Sequence, residues 1–180
     1  MKFNDYNLVY LSGQTEIRSL KFDDIHLLIN LFKQEYISLT EISDNEVIDD
    51  ICRFVKKDTF YFSAIFIILQ NNIFKGYFNV WLDKKIKFKN PEYKKNVFNI
   101  SYNILDTDNN SISLYIEKSI DALLSFKLKI KTLFSFKIFN KKYIKGYFDN
   151  GFQEFDPSFY YSKEIDDKHK TANIFIKKIQ

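Results

Sequence analysis

Glycine and proline are scarce in this chain, with four and two copies in 180 residues. Little classical turn chemistry is left, so Asn and Asp must supply many of the turns. No stretch has the composition of a linker, and there is no internal repeat. Cysteine occurs once, at Cys52. A disulfide within the chain is therefore excluded, which suits a reducing compartment. Cys52 sits in a predicted helix, where an inert buried thiol is expected. Histidine occurs twice, and His26 has no second His or Cys at ligand spacing, so no metal site is expected. Arginine appears only at Arg18 and Arg53, although Lys and Arg together number 27. No uncharged apolar run reaches the length of a membrane span. The stretch Met1-Lys2-Phe3-Asn4-Asp5 lacks an apolar signal core. A cytoplasmic protein without membrane contact is the expectation.

What the chain does have is apolar and aromatic mass. Hydrophobic residues make up 46% and aromatic residues 18%, which argues against disorder. The length is that of one globular domain, residues 1–180, with a sizeable core. The abundance of Phe, Ile, Asn and Lys reads as genome composition rather than function. The formal net charge of +4 is mild. It permits an anionic ligand and does not call for nucleic acid. Lys84, Lys85, Lys87, Lys89, Lys94 and Lys95 form one basic cluster, read as a solvated loop and its flanks.

Periodicity supplies the elements. Residues 1–13 read as a weak strand or an irregular lead-in. Glu16–Leu20 alternates as a short strand. Phe22, Ile25, Leu28, Ile29 and Phe32 follow at helical spacing, with Asp23 and Asp24 in the first turn. Ser43 is the expected N-cap of a second helix, with Glu46 at the capping-box position. Tyr61–Leu69 and Ile73–Leu82 form a hairpin around Gln70-Asn71-Asn72. Gly76 inside its second arm marks a bend or a close approach. Trp81 reads as core or rim packing. Asn96–Leu105 alternates as a strand, and Asp106–Asn110 is a polar loop. Ser111–Phe126 is an amphipathic helix through Leu114, Ile116, Ile120, Leu123 and Leu124. Thr132–Phe139 alternates as another strand. Glu154–Glu164 reads as one strand broken near Pro157, and Thr171–Ile179 as the last.

Between these strands lies Asn140-Lys141-Lys142-Tyr143-Ile144-Lys145-Gly146-Tyr147-Phe148-Asp149-Asn150-Gly151-Phe152. It reads as a short helix with Asn140 as N-cap and Gly151 as the C′ residue, where positive φ is cheap for glycine. Asn140, Tyr147, Gly151 and Phe152 fall on the spacing N-x-x-A-x-x-x-Y-x-x-x-G-F. In this respect the chain resembles the GNAT (GCN5-related) N-acetyltransferase superfamily. Tyr143 stands where that family prefers a small residue. The opening "I-R-x-L…D", the two helices after it and the hairpin with Gly76 are also similar to GNAT chains.

The resemblance implies an α/β, more narrowly α+β, fold: a central mixed, mostly antiparallel twisted sheet of about seven strands flanked by about four helices. It implies acetyl transfer from acetyl-CoA, as co-substrate, to a primary amine. It places the cofactor on Asn103, Ile104 and Leu105 of one strand and on bare amides at a helix start, here Asn109, Asn110, Ser111, Ile112 and Ser113. Asn140 and Lys145, with Lys141, are further cofactor candidates. Tyr147 falls on the general-acid position. Asp83 and Glu35 are the candidates for a base, and a main-chain amide of Asn103–Leu105 for the oxyanion donor.

One part of the pattern is degenerate. The family's Q/R-x-x-G-x-G/A loop aligns with Asp108-Asn109-Asn110-Ser111-Ile112-Ser113. A carboxylate replaces the basic residue and serines replace the glycines, so weak cofactor binding is implied. Two functions follow. One is a divergent N-acetyltransferase acting on an amino sugar or a peptide or protein N-terminus, as monomer or homodimer. The other is a catalytically weak or inactive binding or assembly module of the same fold.

Overall fold

The computed structural model describes residues 7–36, 43–55, 60–83, 87–88, 97–128, 130–135, 142–155, 160–161 and 174–179. A hairpin opens the fold, β1 (Val9–Ser12) and β2 (Thr15–Ser19), turning at Gly13. A 3-10 turn at Phe22–Asp24 leads into α1 (Ile25–Tyr36), followed by α2 (Asp44–Val55). Next come β3 (Phe60–Gln70), β4 (Ile73–Asp83), β5 (Lys87–Phe88), β6 (Val97–Ile104) and α3 (Asn109–Ser125). The chain closes with β7 (Thr132–Ser135), α4 (Lys142–Asp149), β8 (Gln153–Phe155), β9 (Tyr160–Tyr161) and β10 (Ile174–Lys178).

Among the described residues the main sheet has eight strands in the order β1-β2-β3-β4-β6-β7-β10-β8, and β5 pairs with β9 in a separate ribbon. Every pair in the main sheet is antiparallel except β6 with β7, which run parallel. The sheet is thus mixed and mostly antiparallel, with one strand more than expected because Val9–Ser12 pairs fully with β2. The expected strand Glu154–Glu164 is instead two short pieces in different sheets, β8 against β10 and β9 against β5. The lysine-rich loop correspondingly contributes β5.

Local chemistry explains the elements. Asn71 and Asn72 take positive φ, 51° and 63°, in the β3–β4 turn, the conformation a two-residue hairpin loop requires and Asn tolerates. At the start of α2 the Glu46 amide donates to Ser43 Oγ at 3.3 Å, and the Ser43 amide donates to Glu46 Oε2 at 2.8 Å. That is the reciprocal capping box. At the end of α4, the Phe152 amide donates to Tyr147 O at 3.0 Å and the Gly151 amide to Phe148 O at 2.9 Å. Gly151 has φ +72°, so the helix ends in a Schellman motif as its sequence predicts.

Two cores form, one on each face. Phe66, Phe78, Ile100, Tyr102 and Ile104 of the sheet bury against Ile112, Tyr115, Ile116 and Leu123 of α3 and Tyr143 and Tyr147 of α4. Ile65, Ile67 and Tyr77 bury against Leu28 and Leu31 of α1 and Val47 and Ile51 of α2. Each such large apolar side chain contributes about 1.5–3 kcal/mol by leaving water. The face of α3 is rotated from the expected one: Tyr115 replaces Leu114 and Leu124, which are 36% and 47% exposed. Cys52 is half-buried on α2 rather than fully enclosed.

Arg18 ties β2 to the first helical turn. Its guanidinium donates from Nη1 and Nη2 to the Asp24 carboxylate at 2.6 and 2.8 Å. The Lys21 amide donates to the same carboxylate at 2.8 Å. Burial opposes the Asp24 charge, but these hydrogen bonds prevail and hold its carboxyl below the ordinary value. Asp24 therefore acts as a buried anchor, a firmer role than dipole complementation alone.

Candidate functional site

The candidate site lies at the C-terminal end of β6, beyond the last described pair of β6 with β7. β6 and β7 are in register from Val97↔Thr132 to Ile100↔Ser135, and β6 continues to Ile104. On its other edge β6 stays paired with β4, down to Gly76↔Ile104. Gly76 permits this approach. A Cβ there would lie 2.2 Å from Asn103 O and 2.8 Å from Ile104 Cα, and its φ is +144°. The close approach read from the sequence is thus a contact between β4 and the C-terminal end of β6.

Antiparallel pairing alternates the direction of the β6 amides. The Leu105 amide donates to Lys75 O at 2.9 Å, and by alternation the Asn103 amide also turns toward β4. The Ile104 amide turns the other way. It donates to the Tyr143 hydroxyl of α4 at 2.9 Å in a buried contact. Lys142 Nζ donates to the Ile104 carbonyl at 2.7 Å and lies 4.9 Å above the Tyr143 ring. Both main-chain groups of Ile104 are therefore held by side chains from the first turn of α4. Tyr143 and Lys142 carried no site assignment from the sequence. Their one signal was the bulky Tyr143 at a position where a small residue is usual.

Tyr147 lies one turn along the same helix, 2% exposed. Its hydroxyl accepts from Ser135 Oγ at 2.7 Å, at the end of β7. Its ring stacks on Phe175 and meets Phe152 and Tyr102 edge-on. Burial pushes its phenol well above the ordinary value, and the Ser135 hydrogen bond offsets this only in part. Gly146, between the two tyrosines, sets α4 against α3: a Cβ there would come 2.8 Å from Ile116 Cδ1 and 3.1 Å from Ile112 Cγ2.

At the start of α3, Asp108 is the N-cap, and its Oδ1 accepts from the Asn110 and Ser111 amides, each at 3.0 Å. The Ile112 amide donates to Asp108 O at 3.1 Å. Hydrogen bonds from the Ser111 hydroxyl and amide hold the Asp108 carboxyl below its ordinary value, so it is charged at neutral pH. The Asn110 and Ser111 amides, on which the resemblance places a diphosphate, are engaged by this chain's own carboxylate. Ser113 faces α4, where Asn150 Nδ2 donates to its carbonyl at 2.9 Å and to its Oγ at 3.3 Å. Asn109 is exposed in the first turn. Lys145 is exposed and pairs with Asp149 at 2.5 Å along its own helix. Asn140 and Lys141 lie outside the described residues. Glu35 and Asp83 fall near the end of α1 and at the end of β4, where the backbone alone is described.

The sheet face opposite α3 carries an uncharged polar stripe. Register places Asn79 across from Ser101, Asn99 across from Trp81, and Asn103 across from Tyr77, with Ser63 across from Trp81 on the other side. Cross-strand partners share a face. Asn99 is 1% exposed and Asn103 8%. Ser63 Oγ, Asn79 Oδ1, Asn99 Oδ1 and Asn103 Nδ2 are buried without a hydrogen-bond partner. A buried, unsatisfied polar atom costs about 1–3 kcal/mol, so their gathering on adjacent strands calls for a reason. Among the described residues there is no cluster of three or more His, Cys, Asp or Glu able to hold a metal. No helix among them is long and apolar enough to cross a membrane.

No protein-family model matches the sequence, and no curated protein does. Solved structures match its architecture closely. An uncharacterized protein from Bacillus halodurans superposes with TM-score 0.68 at 13% identity, covering 95% of this chain and 89% of that one. An acetyltransferase from Salmonella typhimurium that modifies the N-terminal serine of ribosomal protein L7/L12 gives 0.61 at 13% identity, covering 94% and 97%. Spermidine N-acetyltransferase from Vibrio cholerae, solved with CoA and spermine, gives 0.63 at 13% identity, covering 93% and 96%. Strand order, the single parallel pair among the described strands, and these superpositions agree: the chain has the fold of the GNAT acetyltransferases.

Proposed function

We propose that this protein is an N-acetyltransferase that moves an acetyl group from acetyl-CoA directly to a primary amine. The observation that carries the reading is the Ile104 amide. It is a β6 donor directed away from β4, four residues beyond the last described β6–β7 pair, Ile100↔Ser135, and it already holds an oxygen, that of Tyr143, at 2.9 Å. That phenol oxygen stands in for a carbonyl oxygen of the acyl donor. A preorganised main-chain donor in a dry site is what a developing oxyanion needs.

Acetyl transfer removes a proton from the amine and delivers one to the departing sulfur. The sequence assigned the delivery to Tyr147. Its hydroxyl is committed to Ser135 within the core, whereas the Tyr143 hydroxyl sits against the β6 amide. In our reading Tyr143 is the acid and Tyr147 positions α4 on β7. Lys142, above the Tyr143 ring, favours negative charge developing at this point. Residues at the β6 terminus fit the acyl end of acetyl-CoA. The diphosphate end fits less well, because Asp108 covers the Asn110 and Ser111 amides.

That misfit favours a second reading, a non-catalytic module of the same fold. Thiol release from acetyl-CoA, followed with a panel of amino sugars, spermidine and a serine-initiated peptide, separates the two. Amine-dependent release supports the enzyme. No release with any amine, from protein that melts cooperatively, supports the module.

A further inference from the structure

The N–H and C=O of one strand residue point to the same edge. At Ile104 that edge faces away from β4, and neighbouring residues of one helical turn fill both groups. The amide donates to Tyr143 Oη at 2.9 Å, and the carbonyl accepts from Lys142 Nζ at 2.7 Å. Lys142 Nζ also lies 4.9 Å above the Tyr143 ring, so the two side chains form one unit. They show Ile104 one acceptor and one donor, the pair that a neighbouring amide would show. The rest of α4 is held differently. A Cβ on Gly146 would meet Ile116 Cδ1 at 2.8 Å, so the middle of the helix is pressed on α3. The buried Tyr147 ring packs among Phe152, Phe175 and Tyr102. Past the helix end, Asn150 Nδ2 donates to Ser113 O at 2.9 Å and Lys177 Nζ donates to Asn150 O at 2.6 Å. From Gly146 onward the helix is fixed by close packing, whereas its first turn meets Ile104 through two polar side-chain tips.

From this asymmetry we infer that the first turn of α4 is a latch. It closes the end of β6 in the ligand-free protein, and an amide-bearing ligand binds by displacing Lys142 and Tyr143 together while Gly146–Gly151 stays in place. The identity of that ligand, the arm of acetyl-CoA, rests on the acyltransferase reading; the latch itself does not. The exchange replaces each hydrogen bond in kind, and the ammonium of half-buried Lys142 moves into water. The phenol needs to retreat by only about 3 Å, one hydrogen-bond length, so it stays beside Ile104. Association then waits on opening, and apparent affinity falls with the fraction of open molecules.

The alternative is a permanent brace between α4 and β6. Amide hydrogen exchange, followed residue by residue in the ligand-free protein, separates the two. The Asn103 and Leu105 amides turn toward β4, where Leu105 donates to Lys75 O at 2.9 Å, and they serve as references on either side. A latch exposes Ile104 without unfolding the sheet. Ile104 is therefore expected to exchange roughly a hundredfold faster than its neighbours, at a rate insensitive to low denaturant. Equal rates at the three amides overturn the inference. Stopped-flow mixing with acetyl-CoA is the second readout. In the wild type the observed association rate should level off with concentration, at the rate of opening. In Lys142→Met/Tyr143→Phe it should stay linear and be about tenfold or more faster at low concentration; Lys142→Met alone carries the same direction should the double variant fail to fold. Linear rates of equal slope in wild type and variant overturn the inference. Failure of acetyl-CoA to bind either protein counts against the acyltransferase reading, and the exchange rates, measured without acetyl-CoA, then decide the latch alone.

Discussion

The Ile104 amide of β6 donates to the Tyr143 hydroxyl of α4 across a buried gap of 2.9 Å. Under the acyltransferase proposal, this contact joins the strand that would hold the acyl carbonyl to the helix that would supply the proton. On that proposal an incoming carbonyl oxygen takes the amide from Tyr143 and leaves the phenol beside the reacting centre.

Tyr143→Phe tests that role. The ring and its packing remain, and only the hydroxyl is lost. Turnover is expected to fall roughly a hundredfold, the scale of a positioned acid. Acetyl-CoA affinity should be unchanged or tighter, because the amide no longer has an internal partner. The leaving of a buried amide unpaired should destabilise the fold by about 1–2 kcal/mol. Steady-state kinetics and denaturant melts measure the two effects; unchanged turnover removes Tyr143 from the chemistry.

Tyr147 is expected to behave as half of a structural pair. Tyr147→Phe leaves Ser135 Oγ buried without its acceptor, at about 1–2 kcal/mol, and reduces turnover by much less than Tyr143→Phe does. Adding Ser135→Ala should restore part of the stability. A double-mutant cycle by chemical denaturation measures this coupling. A larger loss of turnover at Tyr147 than at Tyr143 returns the acid role to Tyr147.

Asp24 gives the fold an acid-sensitive anchor. Its carboxyl titrates below the unfolded value because Arg18 and the Lys21 amide bond the charged form against the opposition of burial. The stabilisation is therefore complete above the unfolded carboxylate pKa, about 3.9, and is lost as pH falls through the lower folded value. Asp24→Asn should cost about 2 kcal/mol at neutral pH, with the gap to the wild type closing on acidification below about pH 4. Urea melts across that range check it.

Much of this architecture is legible in the residues because short-range chemistry writes it. The Ser43/Glu46 capping box, the Asn71-Asn72 turn, the Gly151 helix stop and the close approach at Gly76 each depend on one or two side chains, and each stands as predicted. The split of Glu154–Glu164 into β8 and β9 was not legible, since a strand's partner is chosen by distant residues. The face of α3 was misjudged because Leu114 and Leu124 look apolar in isolation, whereas Tyr115 buries its ring and donates to Gln70 and Asp106. Tyr143 and Lys142 escaped notice for a related reason. Their partner is the backbone of Ile104, and main-chain groups leave no mark in a sequence. Asp108 was the converse: its charge was plain, and the structure adds that it caps the very amides in question.

The most direct test is calorimetric titration of acetyl-CoA into the wild type and into Asp108→Ser. Serine keeps an N-cap oxygen at the start of α3 and removes the carboxylate that faces a diphosphate. Two charge contacts at about 5 Å in water predict roughly tenfold tighter binding to the variant. Saturable binding to the wild type, tightened by the substitution, is the result this account predicts. No binding to either protein would contradict the acyltransferase reading.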